Sequence, residues 1–258
     1  MNVLIYSTVF IKKDYVDMIT LLLGTYTKYG FPNKNITYLI ICSSNLLSDI
    51  MKIKQMMREI NIQIWSVKNE ETHSFKNTLE ACFYRYNIFS WPQINNYDRI
   101  LYLDADILIT NKISNIIQVD PGKKIYVLAE GDTTDQIHGS ELFETNPNIS
   151  AFTSGIILFN NCINIKTLFN VILQHCKYLL QNDIVKLRGL DQPLTVYHAI
   201  KMDLYDNTKL QDIVINNPKN FSGHTISHFA GPCSCVDGNK KISAMIEYLK
   251  KYSNELST

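Results

Sequence analysis

Residues 97–109 read YDRILYLDADILI and place two carboxylates directly after an apolar run whose side chains belong in a core. Residues two apart in an extended chain point to the same side, so Asp104 and Asp106 can converge on one divalent cation such as Mg²⁺ or Mn²⁺. Carboxylates at the mouth of a buried strand are costly unless something pairs them. A turn or a helix N-cap also uses aspartate, and the pair alone leaves these interpretations open.

Upstream of this pair, short apolar runs alternate with segments of helical periodicity. Near-continuous apolar strands of this kind are typical of an α/β fold with a parallel sheet covered by helices on both faces. Ligands of such sheets bind beyond the carboxyl ends of the strands, where Asp104 and Asp106 fall. The predicted strands are 3–6, 36–43, 62–67 and 100–103, and the helices between them are 15–28, 47–60 and 75–89.

Beyond residue 106 the pattern is mixed. We predict one domain, because the chain has no internal repeat, no low-complexity segment and no Pro- or Gly-rich linker. Apolar runs lie at 125–130 and 151–160, a strand is predicted at 225–229, and helices are predicted at 165–180, directly after Asp191 and at 242–252.

The composition is that of a soluble globular protein and excludes several functions. The 258 residues include 25 Lys and Arg against 24 Asp and Glu, and no basic stripe, so no nucleic-acid partner is expected. No apolar run approaches the roughly eighteen residues of a membrane span, and no charges precede the short N-terminal apolar stretch. Six scattered cysteines indicate reduced thiols and predict a cytoplasmic protein.

Four segments, in this order and at these spacings, carry a family resemblance: YDRILYLDADILI, FTSGIILFN, LDQPLTV and SHFAG. Together they resemble the glycogenin-like glycosyltransferases of family 8, over roughly residues 1–235. The resemblance implies one domain over 1–258 with a Rossmann-like nucleotide-sugar transferase fold (GT-A type) and a mixed, mostly parallel central sheet. It implies a nucleotide-binding half at about 1–106, a sugar and acceptor half at about 107–258, a UDP-sugar donor and retention of the anomeric configuration.

Position by position, the resemblance also implies a metal and donor site. Asp104 and Asp106 match the family's metal-binding aspartates, and His228 matches the histidine that completes the protein ligands. The implied metal is Mn²⁺ or Mg²⁺, which neutralises charge on the departing UDP. By itself, His228 would be interpreted as a buried structural histidine, and Arg85 as part of a surface salt bridge. The other residues that the resemblance places against the donor are Tyr6, Ser7, Thr8, Tyr15, Arg85, Ala105 and Gly231.

Two further matches concern the sugar. Asp191 and Gln192 match the family's Asp-Gln pair, which the resemblance places at the anomeric carbon, where a carboxylate stabilises positive charge. A helix N-cap is the alternative role for Asp191, and the sequence leaves open whether either residue is a covalent nucleophile. Thr153 and Ser154 stand where the family usually has Asn-Ser. Threonine lacks the amide group, which puts the sugar hydroxyls recognised there in doubt.

The segment after His228 departs from the family pattern. In the family, a lysine that reaches the diphosphate normally lies three residues after the glycine that Gly231 matches, but that position is Ser234 here. The Pro-Trp that follows this lysine in the family is also missing. Lys240 and Lys241 come after a PCSCVDGN segment whose composition suits a lid, with a turn at 238–239. We expect one of these lysines, Lys240 first, to contact the diphosphate. The alternative is a solvated pair that opens the last helix.

The acceptor is expected outside the chain. Glycogenins carry an acceptor tyrosine shortly before the histidine strand, and residues 211–227 contain none. We therefore predict transfer from a UDP-hexose or UDP-pentose to a glycan, a protein side chain or a small alcohol. Glucose is the first candidate for the sugar. A homodimer is expected only because the family tends to dimerise.

Two other functions remain open at this point. One is a structural zinc site in a binding module, although Cys-x-Cys is tighter than the usual spacing and the two aspartates would lose their partner. The other is an inactive family member that binds a nucleotide sugar as a sensor, which the missing lysine favours. The zinc ligands would be His224, His228, Cys233 and Cys235.

Overall fold

The computed structural model describes residues 1–67, 78–145, 148–182, 188–231 and 238–255. Within these ranges the strands are β1 (Val3–Val9), β2 (Ile36–Ser43), β3 (Ile62–Val67), β4 (Arg99–Leu103), β5 (Ile107–Ile109), β6 (Ile125–Asp132), β7 (Ser150–Asn160), β8 (Tyr205–Asp206), β9 (Val214–Asn216) and β10 (Ile226–His228). The helices are α1 (Asp14–Tyr29), α2 (Leu47–Met56), α3 (Thr78–Phe83), α4 (Ser114–Ile117), α5 (Ile163–Gln181), α6 (Gln192–Lys201) and α7 (Gly238–Glu255).

The strands form a mixed, mostly parallel central sheet, as predicted. Its seven strands run in the order β3-β2-β1-β4-β7-β6-β8. The first four pair in parallel, and β7 is antiparallel to both of its neighbours, β4 and β6. The carboxyl ends of β1 and β4 therefore lie at one edge, next to the middle of β7.

Helices cover both faces of this sheet because strand side chains alternate between them. Val3 and Ile5 of β1 join a core with α1, α2 and α7, whereas Leu4 and Tyr6 join a second core with α5 and α6. The α/β fold class inferred from the sequence is confirmed.

A small second sheet lies next to the end of β4. Its order is β5-β10-β9, with β10 antiparallel to β5 and parallel to β9. Asp104 and Asp106 lie between β4 and β5, with a turn at Ala105 and Asp106. The extended backbone predicted there is therefore wrong at Asp106, and the turn that joins the two sheets brings the carboxylates together.

Three predicted helices differ in extent. The predicted helix 47–60 ends at Met56, and the part of 75–89 that is described is α3 followed by a 3₁₀ helix, Tyr84–Ser90, which buries Arg85, Tyr86 and Ile88. The last helix begins at Gly238, so the predicted turn at 238–239 is the first turn of α7. A first turn makes few intrahelical bonds from its N–H groups, so it accepts glycine and asparagine.

In the described ranges, none of the helices is both long enough and apolar enough to cross a membrane. The four cysteines in those ranges, Cys42, Cys82, Cys162 and Cys176, are free thiols.

Candidate active site

Backbone pairing brings together three side chains that are distant in sequence. The Asp104 N–H donates to the Gly155 carbonyl at 2.9 Å, and the Phe229 N–H donates to the Asp106 carbonyl at 3.0 Å. His228 ends β10 directly opposite Ile107 of β5. The register of two sheets therefore fixes Asp104, Asp106 and His228 at one point.

These three residues form a site that fits a divalent cation. One ligand atom from each of Asp104, Asp106 and His228 lies within 4.8 Å of the others, a grouping that is unique among the described residues. Asp106 Oδ1 is buried and has no hydrogen-bond partner, which leaves a lone pair available to a cation. A methyl group on Gly155 would come within 2.7 Å of His228 Nε2 and 2.9 Å of Asp104 Oδ2. Glycine thus keeps the space between these side chains open.

The tautomer of His228 suits metal binding. Its Nδ1 donates to Asn216 Oδ1 at 2.8 Å, and Asn216 Nδ2 donates to Glu130 Oε1 at 3.3 Å. His228 Nε2 faces Asp106 Oδ1 at 3.5 Å. Burial lowers the pKa of His228, but the adjacent Asp106 carboxylate and the charge of Asp104 outweigh burial, so the pKa is raised. Metal binding needs the neutral imidazole and would displace the proton on His228 Nε2.

Asp106 also holds a lysine. Lys241 Nζ lies 2.5 Å from Asp106 Oδ2, and this lysine is only 8% exposed. Burial raises the pKa of Asp106, but the adjacent His228 and the Lys241 charge lower it more, well below its usual range. Burial raises the pKa of Asp104 by more than the Arg85 charge lowers it.

Arg85 joins the aspartate pair to Asp191. Its Nη2 lies 3.2 Å from Asp104 Oδ1 and 3.5 Å from Asp191 Oδ1, and its Nη1 donates to the Ser154 carbonyl at 3.0 Å. The guanidinium stacks 4.5 Å from the centre of the Tyr102 ring, and Arg85 is 5% exposed. A surface salt bridge is therefore the wrong interpretation of Arg85.

Asp191 precedes α6, but its side chain does not cap that helix. Its Oδ2 accepts from the Tyr86 hydroxyl at 2.7 Å and its Oδ1 faces Arg85. The turn before it has positive φ angles at Gly189 (90°) and Leu190 (60°). Leucine rarely adopts this conformation, at a cost of about 1 kcal/mol or more, so the turn is strained where it delivers Asp191. The N-cap interpretation fails for the side chain.

Gln192 and Glu130 extend the network. Gln192 Oε1 accepts from the Ser154 N–H at 3.1 Å, and its Nε2 donates to Glu130 Oε2 at 3.3 Å. Because Glu130 also accepts from Asn216, which bonds His228, a single carboxylate links Gln192 to His228 through Asn216. Thr153 is buried, and its hydroxyl accepts from the Gly155 N–H at 3.3 Å.

The residues predicted to hold the nucleotide lie at the end of β1 and beyond it. Tyr6 and Ser7 are fully buried: the Tyr6 hydroxyl donates to the Arg85 carbonyl, and the Ser7 hydroxyl donates to the Leu103 carbonyl. Thr8 is half-buried, with its hydroxyl 3.3 Å from that of Tyr102. Tyr15 is half-buried against the α1 core.

The structure separates the remaining predicted residues. Ala105 is buried between the two aspartates, and Gly231 is exposed at the end of a described range. Lys240 is exposed, whereas its neighbour Lys241 reaches Asp106. Of the proposed lid at 232–239, residues 232–237, with Ser234 among them, lie outside the described residues, and residues 238–239 begin α7.

The proposed zinc ligands are not grouped among the described residues. His224 is bonded to the Ser222 hydroxyl at 2.7 Å, and His228 belongs to the aspartate pair. Cys233 and Cys235 lie outside the described residues.

Sequence reasoning missed five residues of this network: Tyr86, Tyr102, Glu130, Gly155 and Asn216. Tyr102 has a sequence signal, since it is two residues before Asp104 on the same strand face, and its hydroxyl donates to Asp104 Oδ1. Glu130 has a weaker one, as a carboxylate that ends an apolar run.

Comparison with known proteins identifies a family for the chain. The family described as "Glycosyl transferase family 8" matches residues 2–197. No curated protein sequence matches the chain.

Solved structures share the fold at low identity. The galactosyltransferase LgtC, in complex with donor and acceptor sugar analogues, is 13% identical with a TM-score of 0.63, over 95% of this chain and 96% of its own. Mouse xyloside xylosyltransferase 1, in its apo form, is 12% identical with a TM-score of 0.57, over 92% of this chain and 99% of its own. The apo bifunctional glycosyltransferase WbbM is 14% identical with a TM-score of 0.63, over 97% of this chain and 51% of its own. With the family matched over residues 2–197, this chain belongs to glycosyl transferase family 8 and is a glycosyltransferase.

Proposed function

We propose that this glycosyltransferase moves a sugar from a UDP-sugar to an acceptor outside its own chain, with retention of the anomeric configuration. Glucose is the first candidate sugar. The observation that carries the proposal is the convergence of Asp104, Asp106 and His228 beside Asp191, with Arg85 between Asp104 and Asp191.

The metal side of the proposal rests on the donor set. Two carboxylates and one imidazole suit Mn²⁺, and the oxygen ligands also suit Mg²⁺. Bound there, either metal would neutralise charge on a diphosphate leaving group. Asn216 orients His228 for this task, and Gly155 leaves the space in which a cation fits.

On the sugar side, we assign Asp191 and Gln192 to the anomeric centre. Arg85 and Tyr86 hold the two oxygens of Asp191 in a fixed orientation, which suits a carboxylate that stabilises positive charge on a sugar ring. Gln192 is held from both ends by Ser154 and Glu130. Preorganised polar groups of this kind cost little reorganisation during the reaction.

For the nucleotide, we assign uridine to the end of β1. Since the side chains of Tyr6 and Ser7 are buried, contacts there would come from Thr8, Tyr15 and backbone groups. For the diphosphate, Lys241 is a better candidate than Lys240 to replace the missing lysine, because it already lies in the metal site. A homodimer remains a prediction, which light scattering would test.

The test is incubation with a panel of UDP-sugars and Mn²⁺, followed by UDP quantification, the mass of the intact chain and NMR of the product's anomeric configuration. We expect UDP release with one sugar, increased by added glycan or alcohol acceptors, and no mass gain on the chain. Asp191→Asn keeps the side-chain size and should lose this turnover. A gain of several hexose units on the chain would contradict the external acceptor, and an inverted product would contradict retention.

A sensor without catalysis is the second candidate, and Ser234 in place of the family's lysine favours it. It predicts Mn²⁺-dependent UDP-sugar binding with no UDP release from any donor, with or without acceptors.

A further inference from the structure

Lys241 lies on the apolar face of α7, where the helical pattern predicts an apolar residue. Met245 and Tyr248 lie four and seven residues later and pack into the core below the sheet. Lys241 shares their face of α7, because residues at i, i+4 and i+7 align on a helix. Lysine is almost never buried this far without a partner, and here the partner is Asp106. Lys240, one position earlier, is exposed.

The ion pair uses a carboxylate that the metal site also needs. Lys241 Nζ contacts Asp106 Oδ2, while Asp106 Oδ1 faces His228 and has no hydrogen bond. A divalent cation shared by Asp104, Asp106 and His228 would put two positive charges beside the ammonium group. In a buried site, repulsion between like charges is strong because little water screens it. The ammonium and the metal therefore compete for Asp106.

We propose that Lys241 is an internal counter-ion of the metal site, which neutralises Asp106 until a divalent cation displaces its ammonium group. Without a cation, the lysine lowers the cost of burying the Asp106 carboxylate. With one, the cation repels the ammonium group, which leaves the carboxylate and becomes available to the second anion of the complex, the diphosphate. The inference rests on the proposed function for the identity of the metal and of that anion.

The test measures Mn²⁺ binding to the full chain without nucleotide, by counting free Mn²⁺ with electron paramagnetic resonance. Four variants separate the explanations. Lys241→Met removes the charge and keeps the length, and Lys241→Arg keeps the charge. Lys240→Met tests the neighbouring lysine, and Lys250→Met removes an exposed charge from the same helix. Melting temperatures with and without Mn²⁺ report whether each variant folds.

We expect Lys241→Met to bind Mn²⁺ about tenfold more tightly than the wild type, because the competing charge is gone. Lys241→Arg should stay within about threefold of the wild type, and Lys240→Met and Lys250→Met within about twofold. A merely structural Lys241 predicts the opposite sign, since loss of a structural residue would weaken the site. Unchanged or weaker Mn²⁺ binding in Lys241→Met would overturn the inference, as would equal tightening in Lys240→Met.

If Lys241→Met unfolds without metal, the larger rise in its melting temperature on adding Mn²⁺ takes the place of the titration. An equal or smaller rise than in the wild type would overturn the inference. The proposed function fails separately: a wild-type protein that binds Mn²⁺ but neither binds nor cleaves any UDP-sugar would refute the function and leave the counter-ion in place.

Discussion

The interior between β1, β2 and the helix α1 differs in kind from the polar network at the carboxyl edge of the same strands. The interior is apolar and made by neighbouring elements, with residues such as Ile5, Ile19 and Ile40 fully buried. The network buries charges from residues that are far apart in sequence. Arg85 donates to Ser154, 69 residues later, and Lys241 donates to Asp106, 135 residues earlier. Apolar packing supplies stability here, whereas buried ion pairs add little net stability and place charges for chemistry.

The largest effect is expected from Asp106→Asn, which keeps the size of the side chain and removes its charge. Turnover should fall about a thousandfold, because the proposed metal site loses a ligand and the negative charge on the leaving diphosphate is no longer neutralised. Steady-state UDP release measures this, with circular dichroism as the control for folding. Turnover within about tenfold of the wild type would mean that Asp106 is not a metal ligand in the reaction.

The interior should behave in the opposite way. Ile40→Ala deletes fully buried methylene and methyl groups in the middle of β2, so the free energy of unfolding should fall by about 2–5 kcal/mol. UDP affinity, measured where the variant is still folded, should not change. Urea denaturation and calorimetry check the two parts, and a large loss of UDP affinity would show that the two regions are not separate.

A smaller but more specific effect is expected from Gly155→Ala, which removes no ligand. The added methyl group would intrude between His228 and Asp104, so Mn²⁺-dependent UDP affinity should fall about tenfold to a hundredfold. Gly24→Ala is the matched control, because a methyl group at that position in α1 meets nothing within 4 Å. It should leave affinity unchanged and raise stability by about 0.5–1 kcal/mol. Equal affinity in the two variants would contradict the geometry of the cation site.

The smallest effect concerns pH and lies away from the site. Burial, helped by neighbouring His175, lowers the pKa of His198 to about 4, whereas an unfolded histidine titrates near 6.5. The unfolded chain therefore binds more protons between these values, and the free energy of unfolding falls as the pH drops below 6.5. Between pH 7 and pH 5 the wild type should lose about 1 kcal/mol more than His198→Gln, after allowance for partial exposure. If urea denaturation gave the same pH dependence of stability for the wild type and His198→Gln, the lowered pKa of His198 would be contradicted.

The same contrast explains what could be predicted from the sequence. The strands β1 to β4 and the helix α1 follow from periodicity, because each element carries its own pattern. The three-residue strands β5 and β9 are too short to show a period, and they bring Asp106, Asn216 and His228 together. Whether Lys240 or Lys241 reaches the site depends on the rotation of α7, which the assumed turn at 238–239 concealed.

The roles of Arg85 and Asp191 show the same limit. Motif matching placed both residues at the site, but local chemistry suggested a surface salt bridge and a helix cap. Only the assembled structure shows one guanidinium between Asp104 and Asp191. Contacts between residues this far apart depend on strand register, and nothing in the local sequence records it.

The most direct test of the central claim is a calorimetric titration of the wild-type chain with UDP, in Mn²⁺ and again in excess EDTA. The account predicts binding in Mn²⁺ and a loss of affinity of at least about a hundredfold in EDTA, because the aspartates otherwise repel the diphosphate. Equal UDP affinity with and without the metal would contradict the assignment of Asp104, Asp106 and His228.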